Sequence, residues 1–350
     1  PTKRGGFGVT PAVWQGTVFW LGPAGWLYAV DAATGADRWQ VEVQPLRQQR
    51  LAEIDRAKAS GRRNFPDMLS SLVVADGVLV VPLFTRSAKG ASQDLAGYDP
   101  LTGNRLWQLD GVLCPNTTPA TWRHEGREYL LTGMHEPQVR LIDPRTGAVL
   151  WSLNEGLAPQ WEQLAPWGDQ VLLPIPATSQ EGKAQKRYAA FQLSSTGAKK
   201  IWELPDREPF LFGQDGDGKS VRRITPDGER FYLNSNSREG LVIEMAATDG
   251  HELRRISGLK CVWANVTTDL GDRLLFTGDA EHYHTGFPDF CLIATDGEAL
   301  TLLGRQWQPF RPNEGATAYE VPHAYFLDEG RLYLRTSIGV LRCYDFTARP

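Results

Sequence analysis

Ala29-Val30-Asp31-Ala32-Ala33-Thr34-Gly35-Ala36-Asp37-Arg38-Trp39 returns twice in this chain with the same internal spacing. Each copy predicts a β-hairpin: an apolar strand, a turn in which Asp accepts backbone N–H groups and Gly takes a positive φ, and a second strand that reaches Trp. Units with strands inside that repeat every ~40–50 residues are typical of β-propeller blades. The repeated positions are Asp31, Gly35 and Trp39, then Asp99, Gly103 and Trp107, then Asp143, Gly147 and Trp151.

The Ala-x-Asp-x-x-Thr-Gly-x-x-x-Trp pattern resembles the tryptophan-docking motif of the PQQ-like propeller repeat. That repeat occurs in quinoprotein alcohol dehydrogenases and in many non-catalytic propellers, including the lipoprotein scaffold of the outer-membrane assembly machinery. The resemblance implies that these nine residues have a structural role, in which each Trp docks one blade on the next. It implies nothing about a substrate, because one fold serves many functions.

The repeats predict an all-β fold, a single closed propeller of four-stranded antiparallel blades. Seven blades are expected, and eight would require residues 42–66 to form a blade. Residues 44–60 instead have the pattern of a short amphipathic helix inserted between blades. The last blade lacks its outer strand, which residues before Thr10 should supply. The expected blades are 10–41, 67–110, 115–154, 160–204, 221–257, 260–307 and 319–350.

The later copies of the motif diverge. The fourth, Ala190 to Trp202, keeps Thr-Gly and Trp but has slipped by one residue on each side of the turn, as a β-bulge would allow. In the fifth and sixth copies we place Arg254 and Thr301 at the Trp position. These substitutions require other packing between the later blades.

Composition excludes several classes of function. A chain of 350 residues with 41% hydrophobic residues can bury a sizeable core. Its net charge of −4, with mixed signs, offers no basic field for nucleic acid or an acidic membrane. No apolar run approaches the ~18 residues of a membrane span.

The first residue is Pro1, so we infer a processed or truncated start. The resemblance to the PQQ-like repeat implies an extracytoplasmic location, periplasmic or secreted.

The four cysteines, at positions 114, 261, 291 and 343, show no CxxC motif and no adjacent pair. Buried free thiols are one interpretation, and a single disulfide is the other.

Ligand sites of propellers lie on loops between blades and between the second and third strands of a blade. His282 and His284 are two residues apart, so in an extended segment both imidazoles point to one side and could bind one metal ion. Asp279, Glu281 or another His would complete that site, and a plain exposed loop is the alternative. The candidate residues of this face are His135, Glu136, Trp161, Trp263, His282, His284 and His323.

Quinoprotein dehydrogenases carry adjacent cysteines over the cofactor, a calcium site and a catalytic Asp. We find none of these motifs here, and Asp215-Gly-Asp217 fails as a calcium loop because Pro226 stands where a bidentate Glu is needed. No cofactor is therefore expected. The favoured function is a non-catalytic scaffold that binds a protein partner or a small ligand. The alternative is a divergent metal- or quinone-dependent oxidoreductase with its site near His282 and His284.

Overall fold

A computed structural model provides the structure of the chain. It describes residues 11–22, 25–43, 71–83, 93–113, 118–134, 138–155, 164–178, 184–207, 210, 212–213, 223–225, 227–235, 241–259, 261–269, 272–280, 288–307, 322–328, 331–336 and 341–345. Within these ranges the regular elements are all β-strands. The chain divides into two compact units, Pro1–Phe210 and Leu211–Pro350.

The first unit contains four antiparallel sheets, in each of which strands that follow one another in the chain lie side by side. Sheet 1 holds β1 (Ala12–Trp14), β2 (Thr17–Leu21), β3 (Trp26–Asp31) and β4 (Asp37–Glu42). Sheet 2 holds β5 (Val73–Ala75), β6 (Val78–Leu83), β7 (Gln93–Tyr98) and β8 (Arg105–Leu113). Sheet 3 holds β9 (Ala120–His124), β10 (Arg127–Met134), β11 (Gln138–Ile142) and β12 (Val149–Leu153). Sheet 4 holds β13 (Pro166–Trp167), β14 (Gln170–Thr178), β15 (Ala184–Ser194) and β16 (Gly197–Glu203).

The second unit begins with the short strand β17 (Phe212–Gly213) and repeats the same arrangement. Sheet 5 holds β18 (Arg223–Ile224), β19 (Arg230–Ser235), β20 (Leu241–Ala246) and β21 (Glu252–Ile256). Sheet 6 holds β22 (Cys261–Asp269), β23 (Arg273–Ala280), β24 (Pro288–Ala294) and β25 (Thr301–Trp307). Sheet 7, in the residues described, holds β26 (Pro322–Asp328), β27 (Arg331–Thr336) and β28 (Leu341–Asp345).

The turn between the third and fourth strands has the chemistry that the sequence predicts. In sheet 1, Asp31 Oδ1 accepts the backbone N–H groups of Ala33 (3.1 Å) and Thr34 (2.9 Å), and the Gly35 N–H donates to the Asp31 carbonyl (2.8 Å). Gly35 has φ +72°, which a side chain would disfavour. The local sequence therefore fixes the hairpin before any neighbouring sheet contributes.

A β-bulge interrupts the last strand pair of each sheet from sheet 1 to sheet 6. In sheet 1 the pairs are Ala29 with Trp39 and Val30 with Asp37, so Arg38 is the extra residue and Trp39 follows it. In sheet 6 the register pairs Leu292 with Gly304 just before the bulge. Our assignment of Thr301 to the Trp position was therefore wrong, and Gly304 occupies it.

The hydrophobic core lies between consecutive sheets. Phe19 and Leu27 of sheet 1 pack in one cluster with Leu79 and Val81 of sheet 2. Further clusters join sheet 2 to sheet 3, sheet 3 to sheet 4, and sheet 5 to sheet 6. Sheets 2 and 3 thus pack on a neighbouring sheet at both faces, as propeller blades do.

The structure confirms the all-β class and the four-stranded antiparallel repeat. The helix predicted at 44–60 and the residues before Thr10 lie outside the described residues, so ring closure, blade number and the single-domain assignment stay predictions.

Cys291 is buried in β24 and Cys343 is exposed on β28. Cys114 lies outside the described residues, and for Cys261 only the backbone is described.

Candidate functional site

Each sheet has two different ends. The turns β1–β2 and β3–β4 lie at the same end of sheet 1, because Thr17 pairs with both Trp14 and Asp31. We call this the hairpin end. The connection β2–β3 and the link to the next sheet lie at the opposite end, which we call the loop end. The same order of strands gives the other sheets the same two ends.

The predicted ligand residues belong by chain position to loop ends. Residues 135–137, with His135 and Glu136, fall between Met134 and Gln138, which pair with each other. Residues 281–287, with His282 and His284, follow β23 just beyond the pair Asp279 and Pro288. Trp161 falls between β12 and β13. These five residues lie outside the described residues, so their convergence on one surface stays a prediction.

Trp263 and His323 are placed by their backbone alone. Trp263 lies on β22 opposite Asp279, and His323 lies near the start of β26. Both positions are on the first strand of a sheet, close to its loop end. Among the residues described, no three His, Cys, Asp or Glu side chains are grouped as a metal ion would need.

The hairpin end is described in detail, and here the three repeated Trp residues reach the next sheet. The Trp39 Nε1–H donates to the Pro100 carbonyl (3.0 Å), and the Trp107 Nε1–H donates to the Pro144 carbonyl (2.7 Å). The Trp151 Nε1–H donates to the Ser194 carbonyl (2.9 Å). The acceptor of Trp151 lies in the fourth, slipped copy of the motif.

Two of the three indole rings, those of Trp39 and Trp107, lie directly on the glycine of the neighbouring hairpin. A Cβ added to Gly103 would lie 2.8 Å from Trp39 Cε3, and one added to Gly147 would lie 2.8 Å from Trp107 Cγ. Trp107 also lies against Gly97, its partner within sheet 2. Gly35 has the same position in sheet 1, but nothing lies within 4 Å of an added Cβ there.

In sheet 5 an Arg makes the contact that Trp makes elsewhere. Arg254 pairs with Glu244 just before the bulge, as Trp39 pairs with Ala29. Its Nη2 donates to the Thr295 carbonyl of sheet 6 (2.9 Å), and its Nη1 donates to the Gly297 carbonyl. Thr295 lies two residues after the bulge of its sheet, which is also the place of Pro100. Arg254 therefore uses the same acceptor position that receives the indole N–H.

The carboxylate of Glu244 binds this arginine within sheet 5. Its Oε2 accepts from Arg254 Nε, and its Oε1 accepts from Arg230 Nη1 (3.0 Å) and from the Tyr232 hydroxyl (3.2 Å). The Glu244 side chain is only 1% exposed. The pKa of Arg254 is raised, chiefly because its guanidinium donates to the Glu244 carboxylate.

Further polar contacts cross between sheets at the hairpin end, and two of them are pairs of side chains far apart in the chain. His124 stacks on Trp122 and its Nδ1 lies 2.9 Å from Asp169 Oδ1 of sheet 4. Asp76, at φ +47° in the β5–β6 turn, pairs with Arg145 of sheet 3 (Nε to Oδ2, 2.8 Å). Sequence reasoning missed both, because neither pair has a local motif and the partners are 45 and 69 residues apart in the chain.

The pKa values of two carboxyl groups are shifted in opposite directions, each by a different physical cause. The pKa of Asp31 lies far below its ordinary value, because its carboxylate accepts from Arg38 (2.7 Å) and from Thr34. The pKa of Asp94 is raised because burial penalises its charge, although the Gly111 N–H donates to it (2.6 Å).

A family model described as outer membrane protein assembly factor BamB matches residues 2–256. Among solved structures, BamB from Moraxella catarrhalis aligns with TM-score 0.58 and 15% identity over 97% of this chain and 83% of that one. The C-terminal WD40 domain of Sif2 aligns with TM-score 0.60 and 10% identity over 98% and 82%. No curated protein matches the sequence.

The quinohemoprotein alcohol dehydrogenase from Comamonas testosteroni aligns with TM-score 0.54 and 14% identity. It covers 94% of this chain, but the chain spans only 63% of that enzyme. Identities this low show a shared propeller fold alone. The family match covers more than half of the sequence, so the chain belongs to the PQQ_2 family of outer membrane protein assembly factor BamB.

Proposed function

We propose that this protein is a non-catalytic scaffold that binds a protein partner through the loop ends of its sheets. The family match over residues 2–256, whose description names an assembly factor, is the observation that carries the proposal. An assembly factor acts by holding other proteins, and a rigid frame with variable loops suits that role.

The described contacts supply such a frame. Indole and guanidinium groups join the hairpin ends of neighbouring sheets within each unit, and apolar clusters fill the space between those sheets. Long connections at the loop ends are then free to vary without loss of the core. We place the protein outside the cytoplasm, because the family description names the outer membrane. In the part of the chain that the structure describes, no helix has the length and apolar character to cross a membrane.

Site-specific photo-crosslinking in the producing cells tests the proposal. A photoreactive residue at His135 or His282 probes the loop ends, and one at Leu101, which is 67% exposed at the hairpin end of sheet 2, is the matched control. We expect a discrete crosslinked protein from the loop positions and none from Leu101. Equal crosslinking from both ends, or none from either, would contradict the proposal.

A divergent oxidoreductase is the competing function, and the fold likeness to an alcohol dehydrogenase does not separate the two. Metal analysis of the purified protein does. A stoichiometric metal ion that is lost in His282→Ala would favour the oxidoreductase. A metal-free, colourless protein that still crosslinks from the loop ends would favour the scaffold.

A further inference from the structure

The β14–β15 hairpin of sheet 4 extends past its neighbouring strand at the loop end. Among the residues described, β14 and β15 form nine residue pairs, whereas the second and third strands of sheets 1, 2 and 3 form five pairs each. The outermost pair joins Thr178 to Ala184. β16 ends at Glu203, opposite Ala189, so residues 184–188 of β15 continue beyond it. The hairpin therefore projects at the end where we expect the partner to bind.

One face of this projection is turned toward sheet 3 and carries two polar atoms that lack a partner. Arg187 lies opposite Ile175, which is buried in the apolar cluster that sheets 3 and 4 share. Gln185 is two residues from Arg187, so its side chain is on the same face. Within the described part of the chain, Gln185 Oε1 and Arg187 Nε are buried and have no hydrogen-bond partner. Such atoms destabilise the free protein, so a group that pairs with them gains binding free energy.

We infer that Gln185 and Arg187 bind the backbone of an extended segment of the partner protein. This inference rests on the proposed function, since it specifies where at the loop ends the partner binds and which groups it presents. Two residues of a strand span about 7 Å, so the acceptor of Gln185 and the donor of Arg187 are offered at that spacing. An extended peptide presents N–H and C=O groups to one side at the same interval. The Arg187 side chain is 17% exposed, so its head group can turn toward a peptide without unfolding of β15.

The charges around these two residues favour a neutral amide over an ion. The Arg187 guanidinium already contacts the carboxylates of Glu203 (2.7 Å) and Asp206 (3.5 Å). Lys200 contacts Glu203 (2.8 Å) and Glu155 of sheet 3 (3.7 Å). An anion would be repelled by these three carboxylates, and a cation would be repelled by the two basic groups. A peptide bond offers a donor and an acceptor without net charge.

The contacts between sheets 3 and 4 are firmer at the hairpin end than at the loop end. At the hairpin end, the Nε1–H groups of Trp122 and Trp151 donate to carbonyl oxygens of sheet 4 (3.1 and 2.9 Å), and both indoles are buried. At the loop end, the Lys200–Glu155 ion pair crosses between the sheets, and its side chains are 39% and 65% exposed. Exposed ion pairs contribute little to stability. A peptide can therefore enter at the loop end while the hairpin end stays joined.

Photo-crosslinking in the producing cells tests where the partner binds. Ala177 pairs with Gln185 and is partly exposed, so a photoreactive residue at Ala177 lies on the same face. We expect a crosslinked protein from Ala177, and mass spectrometry identifies the crosslinked segment. Crosslinks from His135 or His282 without one from Ala177 would overturn this inference and leave the scaffold proposal standing. Absence of crosslinks from all three positions would overturn both.

A synthetic peptide of the crosslinked segment tests whether its backbone is recognised. Fluorescence anisotropy measures its Kd for the full chain. Methylation of the backbone nitrogen that donates to Gln185, found by methylating each position in turn, should weaken binding about tenfold, and so should Gln185→Leu in the protein. Gln192→Leu is the matched control, because Gln192 is exposed near the hairpin end of the same strand, and it should bind as the wild type does. A Kd that no methylation changes would overturn the inference.

The thermal stability of Gln185→Leu gives a readout that needs no partner. Because an unsatisfied buried acceptor destabilises the folded chain, its replacement by an apolar side chain of similar size should leave Tm unchanged or raise it. A Tm more than ~2 °C below that of Gln192→Leu would show that Gln185 is already bonded within the chain, and this would overturn the inference.

Discussion

Substitution of Gly147 by Ala, compared with the same substitution at Gly35, separates the stability cost of disturbing a contact between sheets from the cost of straining the turn. Gly147 has φ +74°, and the Trp107 ring of sheet 2 lies where its Cβ would be. Gly35 is the ideal control, since it occupies the same position in its own hairpin with φ +72° and has open space around it. Both variants strain the backbone, but only Gly147→Ala displaces an indole.

Two contributions determine how much folding stability the Gly147→Ala variant loses. A left-handed conformation costs an Ala about 1–2 kcal/mol, and this applies equally to both variants. Overpacking against a ring that cannot retreat costs a further ~1–3 kcal/mol. Trp107 is held between Gly97 and Gly147 and by its bond to the Pro144 carbonyl, so it has little room to move. We expect Gly147→Ala to lose ~1–3 kcal/mol more stability than Gly35→Ala.

Scanning calorimetry measures this difference in the unit Pro1–Phe210. For a unit of that size each kcal/mol lowers Tm by ~2–4 °C, so Gly147→Ala should melt at least ~2 °C below Gly35→Ala. A second measurement repeats Gly147→Ala in a Trp107→Leu background, where its cost should fall to that of Gly35→Ala. Equal Tm values for the two single variants, or a cost that persists without Trp107, would refute the reasoning.

Two further predictions concern carboxyl groups with opposite pKa shifts. Since the pKa of Asp31 is lowered below its ordinary value of 3.8, its stabilising effect is complete above pH 3.8 and is lost as the pH falls further. Asp31→Asn should therefore lower Tm at neutral pH and approach the wild type in acid; a constant difference across the pH range would contradict this. Since burial raises the pKa of Asp94, its ionisation opposes folding at neutral pH and this penalty disappears below its unfolded pKa. Asp94→Asn keeps an acceptor for the Gly111 N–H and should raise Tm at neutral pH but not in acid; a lower Tm at neutral pH would show that the Asp94 charge is needed.

The type of contact between sheets could be predicted, but not the residues that receive it. The resemblance to the PQQ-like repeat implied that each Trp reaches a neighbouring blade, but the acceptors of Trp39 and Trp107 lie 61 and 37 residues along the chain. Arg254 was recognised as a departure from the motif. Its contact with the Thr295 carbonyl depends on how sheets 5 and 6 pack, and its contact with Glu244 depends on the register of β20 with β21. Neither contact has a local sequence pattern.

The error in sheet 6 has a specific cause. The motif places Trp four positions after the turn Gly, which in sheet 6 leads from Gly297 to Thr301. However, the paired Ile293 and Leu302 are nine positions apart in the chain, against seven positions for Val30 and Asp37 in sheet 1. The turn is longer and the last strand starts later, so Gly304 rather than Thr301 reaches the position before the bulge. Without a Trp to mark that position, the sequence offered no correction.

By itself, the sequence determined the hairpins, their repetition and hence the all-β architecture. The turn hydrogen bonds join residues only a few positions apart, namely Asp31, Thr34 and Gly35. They can therefore be predicted without knowledge of the tertiary structure. Tertiary structure alone decided which groups meet across sheets: an indole on Gly147, a guanidinium on Thr295, an imidazole beside Asp169. Such contacts depend on the register of a bulge and on how two sheets pack, and neither is encoded in the spacing of nearby residues.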